Sequence, residues 1–365
     1  MKLECIKDKI KEAVSLTERV TSKNLTLPVL QTILLIAKNK TLILRSTNLD
    51  LGVEIKIPVK IVKDGVVAVP GSILNNFLSN VHDNSIIIDS ENDNVVIKTK
   101  NSSTTIKSYP YDDFPTIPTL LKEESCTIDS KKFVDGLRSV WYSASFSDSK
   151  PEISSVYVYQ DNENLVFVAT DSFRLAEKRI QFSHKGRISS FLIPFKNVTE
   201  LIRIFGGSDG DMLISLNKNQ ISFKADEIYV VSRIIDGVFP DYKQIMPKDF
   251  VSNVIVLRQD IINALKLNNL FSDRLNQINI HLNPAKKIFQ LNSKNSDVGE
   301  NTVQIEAALS GNSLDLNFNH KYVFDCFQSI TKDSLSLQFS GENKPLVIQG
   351  VGDKSFTYLV MPLTQ

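Results

Sequence analysis

Cysteine is scarce in this chain of 365 residues, with three thiols, Cys5, Cys126 and Cys326, odd in number and far apart. A disulfide scaffold or a zinc site needs paired or closely spaced cysteines, so neither is expected, and the three read as small buried apolar side chains. Histidine is nearly as sparse. His82, His184, His281 and His320 are dispersed, without metal-ligand spacing or a motif that nominates a base, which argues against a metalloenzyme. No apolar run approaches the length that spans a bilayer, and the charged start Met1-Lys2-Leu3-Glu4-Cys5-Ile6-Lys7 does not suit a signal peptide, so a cytoplasmic protein with no membrane partner is expected. An excess of one charge is missing too. Lys plus Arg total 42 against 41 Asp plus Glu, and such a balance neither supports nor excludes a nucleic-acid partner, because a local basic surface can be offset elsewhere. The one glycine-rich stretch, Gly206-Gly207-Ser208-Asp209-Gly210-Asp211, lacks the ending of a phosphate loop and the spacing of a calcium loop and reads as a hairpin turn. Neither a cofactor nor a metal is expected.

Apolar residues at 42% and charged residues at 23% are those of a soluble globular protein with a sizeable core. The length suits two or three domains, and an internal repeat favours three. Residues 7–16 put Ile10, Ala13 and Val14 on one helical face; residues 130–140 do so with Phe133, Val134, Leu137 and Val140, and residues 258–267 with Ile261, Ile262 and Leu265. A second helix closes each unit, over 72–81 after Pro70, 196–205 after Pro194 and 321–330 after Phe318, at equal spacing along the chain. Between them lie short β-branched stretches such as Thr41-Leu42-Ile43-Leu44-Arg45, Leu165-Val166-Phe167-Val168 and Asn279-Ile280-His281-Leu282, which suit strands. The expected fold class is α+β, three repeated domains, each two helices packed on antiparallel sheets. Proline-spaced linkers around 110–118 and 240–247 set the expected domains at 1–122, 126–249 and 253–365.

Six segments carry a resemblance to a known family: Thr26-Leu27-Pro28-Val29-Leu30, Ser46-Thr47-Asn48-Leu49-Asp50, Asp112-Asp113-Phe114-Pro115, Ala169-Thr170-Asp171-Ser172-Phe173-Arg174-Leu175-Ala176, Asp236-Gly237-Val238-Phe239-Pro240-Asp241-Tyr242 and Tyr358-Leu359-Val360-Met361-Pro362-Leu363. In this order and spacing, over nearly the whole chain, the sequence resembles the bacterial DNA polymerase III beta subunit, the beta sliding clamp of replication. The resemblance implies a non-catalytic processivity factor: a head-to-tail homodimer ring of three clamp domains per subunit, encircling double-stranded DNA irrespective of its sequence and holding the replicative polymerase on it. A clamp loader and other clamp-motif proteins are the further partners it implies.

The same resemblance implies a pocket for peptides with leucine and aromatic anchors. Carried over by motif, its wall is Ile153, Thr170, Ser172, Phe173, Arg174, Leu175, Pro240, Ile245, Val360, Met361, Pro362 and Leu363. Charges on the repeated helices and beside them are candidates for facing DNA: Lys7, Lys9, Lys11, Lys23, Lys131, Lys132, Arg138, Lys196, Arg203, Arg258, Lys266, Lys321 and Lys332. Ile106, Leu270 and Phe271 are candidates for the dimer interface. Departures from the family fall at Ser172, where glycine is common, at Phe173, at the Leu363-Thr364-Gln365 ending and at Asn24, a position where some relatives carry a basic residue.

Two other readings compete. One is a cytosolic repeat scaffold that binds linear peptide motifs without DNA; the other is a hydrolase using Asp171 or Ser172, which neighbouring turn residues do not by themselves build.

Overall fold

The computed structural model describes residues 1–22, 26–91, 94–120, 124–147, 149–182 and 186–363. Among the described residues six α-helices form where the apolar periodicity places them: α1 Lys7–Glu18, α2 Gly71–Asn80, α3 Ser130–Val140, α4 Phe195–Ile204, α5 Arg258–Asn269 and α6 His320–Asp325. The last is shorter than expected, because the chain tightens into a 3-10 turn over Cys326–Ser329. Among the described residues no helix is long and apolar enough to cross a membrane.

The described strands form four antiparallel sheets, shared between two compact units. The first unit comprises Met1–Val134, Ser183–Ser189 and Lys196–Ile234. Its five-stranded sheet runs in the order Lys60–Lys63, Lys2–Ile6, Ser85–Glu91, Asn94–Lys98, Ser103–Lys107. A nine-stranded sheet joins two sequence repeats, since Ile228–Arg233 pairs with Leu51–Pro58 from Ile228 opposite Ile55 to Ser232 opposite Leu51. Alternation does the local work: Val53, Ile55 and Ile57 point inward while Glu54, Lys56 and Pro58 remain wetter. Asn197 of α4 anchors here, its amide donating to the Ser232 hydroxyl at 2.9 Å.

The second unit comprises Asp135–Phe182, Ser190–Phe195 and Ile235–Gln365. Its four-stranded sheet runs Gly299–Gln304, Ile288–Asn295, Gln277–Asn283, Leu314–Asn319. Its nine-stranded sheet again joins two repeats, through Arg174–Gln181 paired with Phe356–Val360. The inner strands Asn164–Thr170 and Phe356–Val360 are buried on both faces. That accounts for the unbroken apolar run at Leu165–Val168, since a strand with one wet face would alternate. Residues 136 and 167 explain one of the helix contacts: a side-chain carbon at Gly136 would collide with the Phe167 ring, so glycine lets α3 lie directly on the sheet.

The three thiols are buried as expected. Burial, with a smaller effect of Glu4, pushes Cys5 up to about 12, and burial alone pushes Cys126 up to about 11. No described group of three or more His, Cys, Asp or Glu side chains is placed to hold a metal.

Candidate functional site

The turn between the strands Asn164–Thr170 and Arg174–Gln181 is tied by its own side chains. Asp171 Oδ1 accepts the backbone N–H groups of Phe173 and Arg174, both at 3.0 Å, and Thr170 Oγ1 donates to the Arg174 carbonyl at 2.7 Å. Ser172 sits at φ +79°, the left-handed region that glycine occupies at least cost. Phe173, next to it, is 59% exposed.

Arg174 points to the opposite side of the sheet from Leu175 and is almost wholly buried. Its Nε donates to Asp171 Oδ2 at 2.9 Å and its Nη1 to Asp325 Oδ2 at 2.6 Å. The guanidinium lies 4.4 Å from the centre of the Tyr322 ring, and Phe173 stacks on the same ring at 6.5 Å. Tyr322 and Asp325 are three residues apart on α6 and so share a face. A buried cation held by two carboxylates fixes the turn to that helix, an arrangement that is costly to break by removing one member.

The C-terminal segment completes the wall. Val360 pairs with Arg174, the Met361 N–H donates to the Phe173 carbonyl at 2.8 Å, and the Leu363 N–H donates to Asn317 of the four-stranded sheet at 2.7 Å. Pro362 and Leu363 then border a cleft of about 450 Å³ with Asp315, Leu316, Asn317, Glu342 and Asn343. Beneath the wall, Leu175 and Leu359 pack with Val166, Val168, Leu192, Val347, Phe239 and Tyr242, and Met246 leans on this cluster. Pro240 and Ile245 flank it on the segment 239–246, both exposed. Ile153 is buried in the loop before Ser155 and is not part of the cluster.

The structure therefore brings Thr170, Ser172, Phe173, Arg174, Leu175, Val360 and Met361 into one place, with Pro362 and Leu363 continuing along the cleft. Sequence reasoning missed Asp171, Tyr322, Asp325 and Asn317. Asp171 lies within the motif 169–176; the others contribute through long-range contacts with no local signal.

The basic residues divide by what they already touch. Lys9, Arg138, Lys266, Lys321 and Lys332 are exposed, and so are Lys132 and Lys196; Lys11 is half-buried. Lys7 pairs with Asp8 at 2.7 Å and Lys131 with Asp209 at 2.6 Å. Arg203 pairs with Glu200, and its Nη2 donates to the Leu16 carbonyl at 3.4 Å. Arg258 donates twice to the Phe327 carbonyl, at 2.7 and 3.3 Å. These two arginines spend donors inside the fold, which leaves less of each for a phosphate. Lys23 lies outside the described residues, as do His184 and the Thr364-Gln365 ending.

Of the interface candidates, Ile106 is turned into its own unit and is 4% exposed. What its strand Ser103–Lys107 offers is an open backbone edge, being the last strand of the five-stranded sheet. Leu270 is 67% exposed and Phe271 half-buried at the end of α5, near exposed Leu267, Leu275 and Val298. Gly299–Gln304 is likewise an outermost strand.

Solved structures carry this fold over the whole chain. The DNA polymerase III beta subunit of Thermotoga maritima aligns with a TM-score of 0.94 at 22% identity, covering 100% of this chain and 99% of the other. A sliding clamp from Bacillus subtilis gives the same score, identity and coverage. These likenesses define the class: a three-domain clamp fold with helices on antiparallel sheets. In sequence, the chain is 26% identical to the beta sliding clamp of Synechococcus elongatus, over 100% of this chain and 99% of that one, and 26% identical to that of Staphylococcus epidermidis over 95% of each. Family models for the N-terminal, central and C-terminal domains of the DNA polymerase III beta subunit match residues 1–118, 127–241 and 243–364. The chain belongs to the DNA polymerase III beta subunit family.

Proposed function

We infer that this chain is a replication sliding clamp, a non-catalytic processivity factor that encircles duplex DNA and tethers the replicative polymerase. The observation that carries the reading is the succession of all three beta-subunit domains, in order, along the chain. The physical logic is topological. Phosphate contacts are individually weak and salt-sensitive, so charge alone does not hold a protein on DNA through long synthesis. A closed ring leaves only when it opens or reaches a DNA end, so its lining can touch phosphates loosely and slide while the tethered polymerase gains effective concentration.

In this reading two chains associate head to tail, the open edge of Ser103–Lys107 of one meeting Gly299–Gln304 of the other, with Leu270 and Phe271 beside the seam. The exposed lysines Lys9, Lys132, Lys196, Lys266, Lys321 and Lys332, with Arg138, face the DNA. The wall formed by Thr170–Leu175, Pro240, Ile245 and Val360–Leu363 takes the apolar anchors of polymerase, clamp loader and other clamp-motif proteins. The domain limits 1–122, 126–249 and 253–365 and the cytoplasmic location belong to the same proposal.

The test is a loading experiment with the full chain, a clamp loader and ATP on nicked circular DNA, isolated at high salt. The protein should stay on the circle and leave once the circle is cut at a distant site. Equal loss from circular and linear DNA contradicts encirclement.

A further inference from the structure

The segment 239–246 carries Pro240 and Ile245, yet its regular structure amounts to one 3-10 turn over Tyr242–Ile245. Something other than a strand must hold it in place. Phe239 contributes apolar contact, stacking on Tyr157 at 4.9 Å with 11° between the rings. The directed contact is made by Tyr242, whose hydroxyl donates to Glu177 Oε2. Because that proton is committed, the 2.8 Å contact between the Tyr159 and Tyr242 hydroxyls has Tyr159 as the donor. The other Glu177 oxygen accepts from Arg179 Nε at 2.8 Å, and Arg179 also reaches Asp161 at 2.9 Å. Both oxygens of a carboxylate only 6% exposed are thereby satisfied.

Placement gives this network its meaning. Side chains two apart on a strand share a face, so Glu177 stands one pleat along from Leu175 on the Arg174–Gln181 strand, directly opposite Val168. Leu175 and Val168 belong to the same cluster as Tyr242 and Phe239. Tyr242 is in turn bonded back to the wall, its N–H donating to the Pro240 carbonyl at 2.7 Å. A buried carboxylate is a poor choice for stability alone, since a well-packed apolar residue there commonly does as well or better. It does offer a single directional acceptor for one hydroxyl, and that specifies where the turn sits.

We propose that Glu177 and Tyr242 are positioning residues of the peptide-docking site: the pair latches the 239–246 segment to the sheet and so holds Pro240 and Ile245 at the height a partner's apolar anchor meets. The proposal rests on the docking reading given above. Burial, and then the bond to Glu177, push the Tyr242 hydroxyl well above the usual tyrosine range, so it remains a donor at all working pH.

The test uses the full chain and a fluorescein-labelled peptide with leucine and phenylalanine anchors, read by polarisation. Tyr242→Phe removes one oxygen and should weaken binding about tenfold, on the order of one directed contact. Glu177→Leu removes the acceptor and should weaken binding by a similar factor, while Arg179 keeps its bond to Asp161. Ile245→Ala should weaken binding by itself. In that background Tyr242→Phe should add clearly less than the effect it has alone, because part of the wall that the latch positions is already truncated. A merely structural role would lower the melting temperature without producing this coupling. Native affinity in Tyr242→Phe, no effect of Ile245→Ala, or independent multiplication of the two effects each overturns the latch while leaving docking intact. A native protein that binds no such peptide overturns the docking reading and the latch with it.

Discussion

Removing residues 361–365 should abolish peptide docking while scarcely touching the fold, and the structure supplies the magnitudes. Of the residues removed, Met361, Pro362 and Leu363 have described contacts. Their two backbone hydrogen bonds, to Phe173 and Asn317, contribute about 1 kcal/mol each. Met361 is 37% exposed and Leu363 half-buried, and together these side chains add about 2 kcal/mol of burial. Against that stand the backbone and side-chain freedom regained by three residues, about 4 to 5 kcal/mol. The terms cancel to within about 1 kcal/mol, so the melting temperature should move by less than about 4 °C. The docking wall, by contrast, loses its Met–Pro–Leu border, and loss of a central anchor costs about 2 kcal/mol or more, a fall in affinity of at least about 30-fold. Fluorescence polarisation with the anchor peptide and a thermal melt on the same sample measure both. An affinity within about threefold of the full chain refutes the reasoning, and so does a melting point lowered by more than about 8 °C.

Arg174→Met strands the carboxylates of Asp171 and Asp325, whose side chains are 13% and 20% exposed; that partial wetting puts the expected loss near 3 kcal/mol, the low end for a broken buried pair, measured by urea unfolding. Ser172→Gly relieves about 1 kcal/mol of left-handed strain and costs nearly the same in chain entropy, so stability should change by less than about 0.5 kcal/mol, whereas Ser172→Val, β-branched at positive φ, should lose clearly more in the same assay. Burial holds His320 below the usual histidine pKa. Below about pH 6.5 the unfolded chain then binds more protons than the folded one, so the stability this group contributes is present above that pH and lost on acidification; His320→Gln should flatten that part of the curve between pH 7 and 5. Reversing Lys132, Lys266 and Lys321 to glutamate should lower DNA loading and reduce the salt slope by about 0.9 for each phosphate no longer neutralised; an unchanged slope removes those residues from the DNA-facing wall.

The six helices were legible to within a residue or two at nearly every end, because each buries an amphipathic stripe whose period shows in the sequence. α6 is the exception: its apolar pattern continues through Cys326 and Phe327, while the backbone tightens to 3-10 geometry. The pairing of Ile228–Arg233 with Leu51–Pro58 was not legible, since two strands so distant in sequence leave no shared local pattern when they join. The turn at 170–175 could be read from its residues, but its support could not: Arg174 finds Asp325 across 151 positions and Tyr242 finds Glu177 across 65. Glu177 in particular reads as the wet face of a strand, and only the packing of 239–246 over it makes it a buried acceptor. Arg203 and Arg258 read like the lysines around them; whether a basic residue is spent inside the fold depends on which carbonyl or carboxylate it meets.

The central claim is the ring, and single-particle imaging of the purified full chain without DNA, above its dimer dissociation constant, addresses it most directly. The expected particle is a closed two-subunit ring with six similar lobes around a central hole. Compact monomers, or a dimer with no hole, would contradict it.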